Sequence, residues 1–143
     1  MRVRNLTGLK VENVLWDIVF RSKVETAKLR VRILWIRQHA LASYSGVFKS
    51  KENLICVRIN KKNTYPHPVQ MGTGEWFENP DGSYFQILKT VKVRDAIGLC
   101  ALIFAHELSH YIDHIEGRNM RYKQTKADRW SHKICKDIGL IDE

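Results

Sequence analysis

Residues 95–116 make up a strongly apolar run without proline, and His106-Glu107-Leu108-Ser109-His110 lies toward its end. Asp95 is suited to cap the N-terminus of a helix there. Ile97, Cys100, Phe104, Leu108 and Tyr111 recur at intervals of three and four, and Gly117 suits a C-terminal cap. The pattern predicts one buried helix of roughly 20 residues. On it, His106 and His110 stand about one turn apart, a rise of about 6 Å, so both imidazoles share a face and can reach one metal ion. Glu107 is rotated about 100° from His106 and would stand beside that ion, where a carboxylate can take a proton from water. Polar groups on a buried helix are costly unless something pairs with them, and a metal would do so. The plainer readings are a chance match in a chain with six histidines, or a metal-free relic of such a site.

At 143 residues, 44% hydrophobic and 27% charged, the chain has the size and composition of a single soluble domain, 1–143, with its own core. Residues 9–21 put Val11, Val14, Leu15, Ile18 and Val19 on one face and predict an amphipathic helix. Residues 29–36, 44–48 and 54–60 predict three short strands. The segment 61–82 holds all three prolines and three of the eight glycines, and reads as a long loop ending in a turn at Asn79-Pro80-Asp81-Gly82. Residues 83–91 predict a fourth strand, and a last helix runs from Met120 or Thr125 to Asp137, stopped by Gly139. Strands in a run beside helices point to an α+β fold. The expectation is one small mixed or antiparallel sheet of three to four strands, packed with the N-terminal helix, the 95–116 helix and the C-terminal helix.

No apolar run reaches membrane-spanning length, and Met1-Arg2-Val3-Arg4-Asn5 is not followed by the apolar stretch of a signal peptide. The expectation is a cytoplasmic protein with no membrane partner. Cys56, Cys100 and Cys135 are odd in number and too widely spaced for a cysteine-rich zinc site; Cys100 and Cys135 fall on apolar helical stripes and read as buried structural residues. A net charge of +9 is compatible with nucleic acid or an acidic partner, and equally with a solvated basic surface.

A catalytic zinc takes three protein ligands and keeps one position open, so a third donor must come from outside the pentapeptide. His114 lies about 12 Å along the axis from His106, too far to share an ion. The last helix carries Gln124, Asp128 and His132 at four-residue spacing. If the two helices form a hairpin around 117–119, Asp128 comes closest to level with the motif. Gln124 then sits nearer the turn, and His132 about one turn too far. An amide is also a weaker zinc donor than a carboxylate. Asp128 is therefore the favoured third ligand, with His132 as the alternative. Thr125-Lys126-Ala127-Asp128 also matches a capping box, which would make Asp128 structural.

With these residues in place, the chain resembles the zincin metallopeptidases, and among them compact gluzincin-like members related to the ImmA/IrrE group. The likeness rests on His106, Glu107, His110 and, more loosely, Lys126-Ala127-Asp128, and spans about residues 9–140. It implies zinc-dependent hydrolysis of peptide bonds in a protein or peptide substrate, with His106 and His110 holding Zn²⁺ and Glu107 as general base. It also implies an oxyanion-stabilising side chain, for which Tyr111, Tyr122, Arg129 and His132 are candidates. The strand at 83–91 is the expected edge for an extended substrate. Those families often carry a glutamate on the second helix, in a Glu-x-x-Ala-Asp/Asn-like stretch. Here Gln124, Thr125 and Lys126 precede Ala127, and none is acidic. In some relatives the aspartate instead hydrogen-bonds a ligating histidine. The metzincin extension is absent. The rival functions are a zincin scaffold that works with DNA, or an interaction module with little or no turnover.

Overall fold

In the computed structural model, which describes residues 1–37, 39–121 and 123–142, the motif helix α2 (Ala96–Ile115) is the spine of the molecule. The Asp95 carboxylate accepts from the Gly98 backbone N–H at 2.7 Å, the predicted N-cap. At the other end Gly117 takes φ +72°, and Arg118 N–H returns to the Asp113 carbonyl at 2.8 Å, which satisfies a last-turn carbonyl. Between these ends Leu99, Cys100, Phe104 and Leu108 are fully buried.

Two further helices, α1 (Glu12–Ser22) and α3 (Gln124–Ile138), pack against α2. The strands fall into two sheets, where the sequence had suggested one. The first is mixed, in the order β1 (Arg2–Asn5), β2 (Arg30–Trp35), β4 (Leu54–Ile59), β3 (Tyr44–Lys49), with only β3 antiparallel to its neighbour. The second is antiparallel: β5 (His67–Glu78), β6 (Tyr84–Val93) and the two-residue β7 (Ile141–Asp142). The α+β class therefore holds, and the single sheet does not. One face of the first sheet, carrying Val31, Ile33, Ile55, Val57 and Ile59, joins Leu99, Phe104 and Leu108 of α2 in one core cluster with Val91, Val93 and Cys135.

The expected loop at 61–82 is also corrected, because most of it is β5. Pro66 and Pro68 sit at the start of an edge strand, where the missing N–H costs no ladder bond, and Pro80 lies in the turn after it. Val69 and Met71 are buried while Gln70 between them is exposed, a two-residue period that the prolines and glycines obscure. Past Gly72 the pairing with β6 slips, leaving Thr73, Gly74 and Glu75 opposite Ile87 alone. The bulge is pinned by Gln86, whose side-chain carbonyl accepts from Gly74 N–H at 3.0 Å and from the Thr125 hydroxyl of α3 at 2.9 Å. No helix among the described residues is long and apolar enough to cross a membrane. Cys56, Cys100 and Cys135 are free and buried, and burial pushes the thiols of Cys100 and Cys135 up to about 12.

Candidate metal centre

α2 presents His106 and His110 on one face, with their Nε2 atoms 3.3 Å apart. The first residue of α3 completes the group: the Gln124 side-chain oxygen lies 2.6 Å from Nε2 of His106 and 3.3 Å from Nε2 of His110. Three lone-pair donors thus converge on one point. Four ligands at zinc-like bond lengths of about 2.0–2.1 Å in a tetrahedron stand about 3.4 Å from one another. Two of the three separations match that edge, and the third would open by under about 1 Å. The residues therefore fit a small divalent cation, with an amide as the weakest of the three donors. No group of three or more His, Cys, Asp and Glu side chains suited to a metal occurs among the described residues, because the third donor is glutamine.

Asp128 is placed differently from its expected position. One carboxylate oxygen receives Nδ1 of His106 at 2.8 Å, and the other accepts from the Gly72 backbone N–H at 3.0 Å. It therefore stands behind the ring, on the nitrogen away from the convergence point. It fixes the proton on Nδ1 and leaves the Nε2 lone pair facing inward. The capping reading of Asp128 fails as well, since Lys123 caps α3 without a side-chain bond. The α2–α3 connection explains the changed register. It spans 116–123 and is tied by the buried Asp113, which binds Arg118 at 2.8 Å and Lys126 at 2.7 Å. This brings Gln124, rather than Asp128, level with the two Nε2 atoms. His114 packs edge-on against Phe48, away from the centre, as the helical rise requires. His132 and Arg129 face β5 beside Met71, Gly72 and Thr73 and do not line the pocket over the two histidines.

Glu107 is 8% exposed and lies under β3 at Gly46. A Cβ at Gly46 would stand 2.4 Å from Ile103 Cγ2 and 3.2 Å from a Glu107 carboxylate oxygen, so the close approach of strand to helix requires glycine here. Burial raises the Glu107 carboxyl above its ordinary value, against the opposing pull of the His106 charge and the Phe48 backbone. Burial also lowers His110, helped by the His106 charge. For His106 burial acts downward, but the hydrogen bond it donates to Asp128, the Glu107 and Asp128 charges and the Gln124 contact outweigh it and raise the ring above its ordinary value.

A pocket of about 240 Å³ opens over these groups, walled by Tyr44 and Gly46 of β3 on one side and by Gln70 and Met71 of β5 on the other. Compared with protein-family models, with curated proteins and with solved structures, the chain gives no match. The site is therefore read from its own geometry. Both flanking strands are sheet edges, whereas β6, covering the expected substrate edge at 83–91, lies between β5 and β7 with both sides paired over part of its length. Among the described oxyanion candidates none lines the pocket, and the Tyr111 hydroxyl donates to the Glu25 carbonyl at 3.0 Å; Tyr122 lies outside the described residues. Tyr44 does line the pocket; its phenol is raised by burial and by the Asp128 charge, so it is protonated and can donate. Neither Tyr44 nor Gly72 was singled out in the sequence, since each enters the site from a strand far from the motif.

Proposed function

We propose that this chain is a zinc-dependent peptidase acting on an extended segment of a protein or peptide. The observation that carries the reading is the convergence of two Nε2 atoms and one amide oxygen within 3.3 Å, backed by Asp128 and flanked by Glu107. Zinc held there would supply the Lewis acid that activates water and polarises a carbonyl. Glu107, with its raised affinity for protons, takes the proton from the attacking water and delivers it to the leaving amide nitrogen. Tyr44 donates a hydrogen bond to the carbonyl oxygen as negative charge develops. The free edge of β3 pairs with the substrate backbone and sets its register over Glu107.

Zinc content after metal titration and exhaustive desalting, compared between the native protein and the His110→Ala variant, tests the first half. About one zinc per chain is expected in the former and none in the latter, and a native protein that takes up no zinc sinks the reading. Hydrolysis of an unfolded, fluorescently quenched protein tests the second half. It is expected from the zinc-loaded protein and is expected to fall by at least about a hundredfold in Glu107→Gln. A second reading draws on Gln124, which supplies an uncharged donor where a carboxylate would bind more tightly. A protein that binds zinc, and is as inert as its Glu107→Gln variant, would be an interaction module on this scaffold.

A further inference from the structure

The face of the first sheet turned away from α2 carries a separate feature. In the parallel ladder Arg2 pairs with Arg30 and Arg4 with Arg32, so these four side chains share one face. The partner positions on β4 and β3 bring Arg58 and Lys49 to that same face. The opposite set, Val3, Val31 and Ile55, belongs to the core. The strands hold the guanidinium stems about 4.8 Å apart across the ladder and about 6.6 Å apart along it. Leu54 and Cys56 beneath these stems are only 4% and 3% exposed, and Arg2, Arg4, Arg30 and Arg32 line a shallow groove of about 270 Å³. The strand positions on this face hold six cations and no Asp or Glu, and of the six Lys49 meets Glu52 of the following turn at 4.0 Å. Among the described residues, Arg2, Arg4, Arg32 and Arg58 make no ion pair with a carboxylate. Such a cluster repels itself unless an external anion neutralises it.

We infer that this face binds the phosphate backbone of a nucleic-acid duplex, independently of base sequence. The match is one of charge: arginine heads fork onto phosphate oxygens, and a duplex offers the densest regular array of them. The other outward side chains on these strands, Leu34, Ser45, Val47, Leu54 and Cys56, are not aromatic, so the face holds no platform on which unpaired bases could stack. The groove lies on the reverse of the sheet from Glu107, because Gly46 faces Glu107 while its neighbours Ser45 and Val47 face outward. Bound duplex would therefore tether the protein without entering the pocket, and the inference stands whether or not the pocket hydrolyses peptides.

The test is fluorescence anisotropy of a 25-base-pair labelled duplex titrated with the full chain at several NaCl concentrations. Arg4→Gln/Arg32→Gln is expected to weaken binding by about tenfold or more at 100 mM NaCl, and to make the log–log salt dependence shallower by about 1.8. Lys62→Gln/Lys133→Gln removes the same charge elsewhere and is expected to leave the slope nearly unchanged. Arg4→Lys/Arg32→Lys keeps the charge, and its retained binding guards against a folding defect in the glutamine variant. Equal losses in the two glutamine variants would overturn the inference in favour of diffuse attraction. Failure of the native protein to bind at 50 mM NaCl would overturn it outright. So would a change in sedimentation of Arg4→Gln/Arg32→Gln with duplex affinity intact, which would assign the face to a second copy of the chain.

Discussion

At the scale of single residues, the chemistry of the centre turns on which atom of each side chain faces inward. Asp128 has the better donor chemistry but spends both oxygens on Nδ1 of His106 and the Gly72 N–H. Gln124 has the poorer chemistry and the better position. The two roles predict opposite effects of charge. Gln124→Glu places an anionic oxygen at the convergence point and is expected to tighten zinc binding by about tenfold or more, about 1.4 kcal/mol. Asp128→Asn keeps the shape but removes the charge behind His106 and is expected to weaken zinc binding by about 10–100-fold. Competition with a chromophoric chelator measures both, and weaker binding by Gln124→Glu would mean that the amide is not a ligand. Gly46 offers a steric test of the strand–helix approach. Gly46→Ala drives a methyl group against Ile103 and toward Glu107, with an expected loss of about 1–3 kcal/mol in urea unfolding. An unchanged midpoint would show that β3 can stand off from α2.

At the scale of elements, the position of α3 on α2 decides what reaches the centre, and Asp113 fixes that position. Its carboxylate is fully buried, while Arg118 and Lys126 are about half exposed. Burial alone would raise the carboxyl, but the hydrogen bonds and charges of Lys126 and Arg118 outweigh it and hold the group below its ordinary 3.8. A carboxyl with a lowered folded-state value stabilises the fold above its unfolded value and loses that contribution as pH falls through the folded one. Asp113→Asn is therefore expected to cost about 1–2 kcal/mol at pH 7, discounted for the exposure of both cations. The gap between variant and native protein should close as pH drops below 3.8; urea unfolding from pH 7 to pH 3 follows it, and a gap that stays constant would show that charge is not what ties the helices. The same elements mark how far the sequence could be read. α2 was legible from cap to cap because period, length and capping residues agree there, and β4 because its apolar run is broken only by Arg58. β5 was hidden because its prolines and glycines serve an edge, a bulge and a close approach, uses that look like a loop in one dimension. β1 is four residues long and alternates arginine with its inward residues, too short a pattern to separate from a tail. His106, Glu107 and His110 could be grouped because one helix spaces them. Gln124 could not, since its place depends on a salt-bridged connection between helices.

At the scale of the whole molecule, α2 is the only element that touches both α1 and α3 while also packing on strands of both sheets, by the main contacts among the described residues. The two sheets share no ladder, yet their buried faces meet in one core cluster through this helix. The physical consequence is cooperativity: neither sheet can lose its packing without exposing α2 to the other side. Trp35 on β2 and Trp130 on α3 both pack against the core and report from opposite sides of α2. Variants that keep only one of these tryptophans, with phenylalanine at the other tryptophan positions, are expected to unfold in urea with coincident midpoints. Zinc extends the test, because a ligand held jointly by α2 and α3 stabilises whatever unfolds together with them. At 100 times its dissociation constant it should add about 2.7 kcal/mol. If α2 couples the two sheets, that increment appears equally at Trp35, in a sheet that like the other supplies no ligand, and at Trp130. A shift confined to Trp130 would divide the molecule into two units, with the metal centre belonging to the helical pair alone.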